Sequence, residues 1–268
     1  TSANNNFATL GIDSNLYLLL IILSFLAGLV SLFFGIKQIH KRKIVSLITS
    51  REKVDWNRFF YAFSIWACVG VFMVAISYFI SPEDYVWNFK PMSFFILVVI
   101  SFLFLPIQTS MEELLFRGYL MQGFGTWFKN SFVALALTSV IFGLLHGLNP
   151  EVEKLGWITM VYYIGTGLVL GIFTLMDEGA ELALGFHAAN NIVAAVFVTA
   201  NWTVFQTDAL LIDTSEPSVG FEMFVPVLVL YPLILLLFSK KYGWTNWQDK
   251  LMGKINKPIE LKEEEFIA

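Results

Sequence analysis

The sequence predicts an all-α, polytopic transmembrane helix bundle of seven to eight membrane segments enclosing a polar cavity within the bilayer. Three observations predict this class. The chain of 268 residues is 57% hydrophobic and only 14% charged, where soluble domains carry about 25% charged residues. Its apolar runs recur at the length that crosses about 30 Å of hydrocarbon. Its lysines and arginines are gathered on particular loops, as in membrane proteins with a fixed orientation. The 27 Phe and 8 Trp suit lipid-facing surfaces and interfacial belts, and a net charge of -4 gives no nucleic-acid signature, so the lipid bilayer is an expected partner and nucleic acid is not.

The spans are expected at Leu16 to Ile36, Phe59 to Ile80, Met92 to Thr109, Phe132 to Leu148, Trp157 to Met176, Leu182 to Ala200 and Phe224 to Phe238. Each approaches the 20 or so residues that a crossing helix needs. The segment from Glu112 to Trp127 is apolar apart from its charges but short. It reads as an eighth span, a half-span, or the continuation of a helix kinked at Pro106. The single Cys68 excludes an internal disulfide and a Cys-based metal site, and is expected to be a small buried hydrophobe. The chain starts at Thr1 rather than methionine, so upstream residues are expected to have been trimmed; no cleavable signal is visible, and the first apolar run is expected to stay as an anchor.

Orientation follows from the charges. The first loop holds Lys37, Lys41, Arg42, Lys43, Arg51, Lys53 and Arg58, which predicts a cytoplasmic loop, and Lys240, Lys241, Lys250, Lys254 and Lys257 put the C-terminal tail on the same side. Residues 201–222 carry Asp208, Asp213, Glu216 and Glu222 and no Lys or Arg, as an outside loop would. Seven crossings satisfy all three assignments. The expected division is a membrane-embedded domain over 1–239 and a cytoplasmic tail over 240–268, in what reads as a bacterial cytoplasmic membrane.

Within this apolar background the ionisable groups are informative, because one at membrane depth is disfavoured by roughly 2.5 to 3.5 kcal/mol. In MEELLFRGYL, helical geometry puts Glu113 and Arg117 four apart on one face, able to pair, and leaves Glu112 free for chemistry. The plainer reading is an interfacial charge cluster with Arg117 snorkelling to the headgroups. In FGLLHG, His146 follows Phe142 by one turn; alone, it is as well read as a packed residue. In FHAANN, His187 and Asn191 share a helix face, where small residues with Asn or His also serve as glue between membrane helices. Only 3 His occur in the chain, and two of them lie inside spans. Two glutamates, two histidines and an asparagine together supply a general base, a group to orient it, and donors for a developing oxyanion. Neither a serine or cysteine nucleophile nor a paired-aspartate motif is indicated, so water is the natural nucleophile.

Glu-Glu-x-x-x-Arg, Phe-x-x-x-His and His-x-x-x-Asn, in that order on hydrophobic segments, resemble the CPBP (Abi) family of intramembrane proteases, which includes the type II CAAX prenyl endopeptidases. The match runs from Glu112 to Asn191 and leaves out the first span and the tail. The resemblance implies that Glu112 and His146 activate water, that His187 and Asn191 stabilise the oxyanion, and that Glu113 and Arg117 form the supporting ion pair. It implies an intramembrane endopeptidase acting on a membrane-associated peptide or protein; no cofactor is expected, because both histidines have adequate roles without a metal. A rival keeps the reaction but adds Zn²⁺, held by Glu112 or Glu113 with His146 and His187; no HExxH spacing is present. A rival of another class is a transporter or scaffold with the cluster as proton relay or packing glue, against which the lack of an internal repeat weighs. One conflict stands: in straight spans Glu112 and His187 fall in the cytoplasmic half, while His146 comes at the far end of its helix. Convergence requires that the Phe132 helix start deep or that the Glu112 segment re-enter.

Overall fold

The computed structural model describes residues 11–255; Lys257 and the rest of the expected tail lie outside the described residues. Among the described residues, six helices are long and apolar enough to cross a membrane: α1 (Ser14–Ile39), α2 (Trp56–Ile80), α3 (Pro91–Phe128), α4 (Ser131–Leu148), α5 (Trp157–Asp177) and α7 (Phe221–Tyr242). The remaining expected span is the shorter apolar helix α6 (Glu181–Phe197). The chain is an all-α polytopic bundle. Local chemistry sets the helix starts. Asp13 caps α1 by accepting from the backbone N–H of Asn15 and Leu16, Asp55 caps α2 through Asn57, and Pro91 opens α3 at a position where its missing N–H is no loss.

Helix α3 resolves the conflict over depth. Its 38 residues extend about 57 Å, well beyond the hydrocarbon thickness. The chain continues helically through Pro106, makes a π-helical turn over Leu114–Leu120, and ends only where Lys129 adopts a left-handed backbone. The Glu112 segment is therefore the continuation of one helix, the third of the three possibilities. Asn130 then caps α4 by accepting from Val133 N–H. Because α4 starts beside the far end of α3 and runs back along it, Phe116 meets Phe142 at 5.5 Å between ring centroids, and the same register brings His146 level with Glu112.

Helix α6 is the centre of the bundle, buried along nearly its whole length. Phe186 stacks on Trp66 of α2 at 4.1 Å and meets Phe173 of α5 edge-on. Helices α4 and α5 approach closely because Gly167 has no side chain: a Cβ there would stand 2.8 Å from the carbonyl oxygen of Ser139. Cys68 is exposed, not buried as expected. In a membrane protein an apolar outer surface meets lipid, so apolarity does not imply burial.

The two ends of the bundle differ. At the basic end, Arg51 and Arg58 reach the buried Asp177, and Arg51 also reaches Glu181, tying the first loop to the ends of α5 and α6. Trp244, from the segment after α7, donates to the same Asp177. At the opposite end, three short strands join the loops: β1 (Tyr85–Trp87), β2 (Val198–Ala200) and β3 (Leu211–Asp213), in the order β1-β3-β2. β3 is antiparallel to β1 (Val86↔Ile212) and parallel to β2 (Thr199↔Ile212).

Candidate active site

Helices α3, α4 and α6 bring the six singled-out residues together. Glu112, His146, His187 and Asn191 all line one cavity of about 510 Å³. Glu113 and Arg117 lie behind its wall as an ion pair, Arg117 Nη1 to Glu113 Oε1 3.2 Å, with both side chains fully buried. Arg117 also donates from Nη2 to the carbonyl of Gly167 at 3.0 Å and lies over the ring of Phe142, 4.4 Å from its centroid. It is a structural cation, not a snorkelling one.

His187 stands between the two glutamates. Its Nδ1 is 2.8 Å from Glu113 Oε1 and its Nε2 is 3.5 Å from Glu112 Oε2. A carboxylate only accepts, so Nδ1 carries a proton toward Glu113, and Nε2 is a donor when the ring is doubly protonated. His146 is fixed differently. Its Nδ1 lies 2.8 Å from the carbonyl oxygen of Phe142, its ring stacks on Tyr163 at 4.6 Å between centroids, and the Phe142 ring neighbours both imidazoles. Since a carbonyl only accepts, His146 Nδ1 is the donor, and in the neutral ring Nε2 keeps its lone pair. The side-chain partners that the structure gives Glu112 are Gln108 and His187, not His146.

A chain of amides completes the site. Trp66 Nε1 donates to Asn190 Oδ1 (3.2 Å), Asn190 Nδ2 to Asn191 Oδ1 (3.2 Å), Asn191 Nδ2 to Gln108 Oε1 (3.4 Å), and Gln108 Nε2 to Glu112 Oε1 (3.4 Å). The last two are long for hydrogen bonds, yet they link α2, α6 and α3 and fix Glu112 and Asn191 relative to each other. Sequence reasoning missed Gln108, Asn190, Trp66 and Tyr163. Gln108 was within reach of it, one helical turn before Glu112. The other carboxylate on the cavity wall, Glu151, accepts from Val204 N–H at 2.8 Å, and burial pushes its carboxyl above the ordinary carboxylate range, an effect that this hydrogen bond opposes. Among the described residues, no three His, Cys, Asp or Glu side chains are grouped to hold a metal ion.

A carboxylate, two oriented imidazoles and a carboxamide share one cavity among the membrane helices, a set of groups able to activate water and to hold an oxyanion. The family model described as type II CAAX prenyl endopeptidase Rce1-like matches residues 91–193, the stretch from the start of α3 through most of α6. The chain is also 30% identical over 220 residues to the uncharacterized protein YyaK of Bacillus subtilis (strain 168), covering 81% of this chain and 74% of that protein. No solved structure matches. The chain belongs to the Rce1-like family, within the CPBP group of intramembrane proteases. It is thus an integral membrane protein of a protease class whose substrates are in general peptides.

Proposed function

We propose that this chain is an intramembrane endopeptidase that hydrolyses a peptide bond of a membrane-associated, lipidated or leader-type peptide with water activated by Glu112 and His146. The observation that carries the reading is the convergence of Glu112, His146, His187 and Asn191, from three helices, on one cavity. Glu112 Oε2 accepts no hydrogen bond from a protein donor, and His146 offers Nε2 as a second acceptor. Water held by these groups loses a proton to Glu112 as its oxygen attacks the carbonyl carbon. His187 Nε2–H and Asn191 Nδ2–H then face the oxyanion, with Glu113 orienting His187 through Nδ1 and Arg117 holding Glu113. When the tetrahedral centre collapses, the proton on Glu112 passes to the leaving nitrogen, so acid and base are the same group. The basic loop and the C-terminal segment lie in the cytoplasm of a bacterial membrane in this reading.

The reading assigns no metal. His187 directs its two ring nitrogens at Glu113 and Glu112, so it has a role that needs no ion. The test is metal analysis of the active, purified protein beside a peptidase assay. In the proposed mechanism chelators leave activity intact, and His187→Gln, which keeps a donor, recovers part of the 10² to 10³-fold rate that about one oxyanion contact supplies. Stoichiometric zinc, lost together with activity in His187→Gln, overturns the metal-free mechanism.

A further inference from the structure

A second cavity, of about 730 Å³, lies between the basic first loop and the last turns of α3, and the proposed hydrolysis does not use it. Its charged lining residues are Arg42, Lys43, Arg51, Arg117 and Glu178. Three of these are neutralised within the protein. Arg117 pairs with Glu113, Arg51 with Asp177 and Glu181, and Glu178 with Lys250 at 2.9 Å. Arg42 and Lys43 take no carboxylate partner among the described residues. Arg42 is nevertheless held in place. Its Nη2 donates to Gln122 Oε1 at 2.9 Å, and Gln122 Nε2 donates to the carbonyl of Ser46 at 2.9 Å, so α3 and the loop together fix the guanidinium. A fixed guanidinium without a counter-charge, sharing a cavity with a lysine ammonium, suits an anion, and its fork of donors matches the oxygens of a phosphate.

The surroundings favour one source of phosphate. Lys43, Ser50 and Thr126 in the wall are exposed, so the cavity is reached from outside the protein. Directly after Thr126, Trp127 is 76% exposed and stacks on Phe128 at 5.4 Å between ring centroids; Trp56, which starts α2 just beyond the same loop, is 60% exposed. Exposed aromatic rings at the ends of membrane helices mark the level of the lipid headgroups. The wall also includes Val45, Ile48 and Leu175, which suit the glycerol and first acyl carbons of a lipid better than a hydrated free ion. We propose that this cavity binds the phosphate of an anionic membrane phospholipid, with Arg42 and Lys43 as its counter-charges. Binding there does not depend on the hydrolytic reaction, so its test needs no peptidase activity.

The test is thermal unfolding of the purified full chain in a neutral detergent, titrated separately with phosphatidylglycerol, phosphatidylcholine and glycerol phosphate. Saturating phosphatidylglycerol is expected to raise the unfolding temperature by about 5 °C or more, as a ligand at about a hundred times its dissociation constant would. The other two leave it unchanged. Lys43→Gln weakens the apparent affinity for phosphatidylglycerol about fivefold, and Arg42→Gln/Lys43→Gln about 25-fold, the worth of one and of two cations near an anionic headgroup. Because Arg42 also holds Gln122, Lys43→Gln alone decides the matter where the double variant does not fold. Lys37→Gln/Lys53→Gln removes the same charge from exposed positions outside the cavity and keeps the parent's affinity. Equal weakening in that control overturns the site in favour of diffuse attraction to the basic loop. A shift with glycerol phosphate or phosphatidylcholine equal to that with phosphatidylglycerol overturns the anionic lipid as occupant. The rival occupant within the chain is the acidic run Glu263, Glu264 and Glu265, beyond the described residues. A loss of unfolding temperature shared by Arg42→Gln/Lys43→Gln and by replacement of those three glutamates with glutamine, without a phosphatidylglycerol shift in the parent, overturns the proposal in favour of that run.

Discussion

Each buried polar residue at the site has a partner that explains its orientation, and this separates structural from reactive groups. Arg117 has no exposed surface on its side chain and pairs with a fully buried Glu113. Removing one member of such a pair leaves an uncompensated charge, which typically costs about 3 to 5 kcal/mol. Arg117→Ala is therefore expected to lower the melting temperature in detergent as well as activity; an unchanged melting temperature would return Arg117 to the role of a surface charge. Gln108 makes the converse case. It touches Glu112 and Asn191 through 3.4 Å bonds, so Gln108→Leu should leave the melting temperature near that of the parent while reducing kcat more than KM, because it misplaces Glu112 without removing a binding contact. The motifs that carry the candidate site were legible in the sequence because each is a spacing of one helical turn, which fixes a shared face whatever the tertiary structure. Gln108 and Tyr163 were not singled out, since a glutamine and a tyrosine in apolar helices carry no signal until the partner helix is placed.

At the scale of elements, the depth of His146 depends on how far α3 runs and where α4 begins. The sequence shows apolar runs but does not show that Leu114–Phe128 continues the preceding helix, because Pro106 and the charges at Glu112, Glu113 and Arg117 all suggest an ending. What ends the helix is the left-handed Lys129 followed by the Asn130 cap, a two-residue signal easily overlooked beside a proline. The three-residue strands are too short for an alternating pattern to be read. The close approach of α4 and α5 gives a test at this scale. Gly167→Ala places a methyl 2.8 Å from the Ser139 carbonyl oxygen and displaces the carbonyl that accepts from Arg117. Overpacking of this kind typically costs about 1 to 3 kcal/mol, so thermal unfolding should show a clear loss of stability; a neutral Gly167→Ala would mean that the helices are more loosely packed than described.

At the scale of the whole molecule, an apolar shell surrounds a polar interior centred on helix α6 and its neighbours α3, α4 and α5, and the family match covers most of that unit. Helix α1 lies outside the matched stretch but forms one wall of the cavity from Ser14 to Phe25. In the proposed mechanism Glu112 is the group that activates water. The most direct measurement is the peptidase activity of purified, membrane-reconstituted Glu112→Gln, with thermal unfolding measured on the same preparation. Loss of a general base is worth about 10² to 10⁴ in rate, so activity is predicted to fall by at least the lower figure while the unfolding temperature stays at or above that of the parent. Retained activity in a folded Glu112→Gln protein would contradict the mechanism.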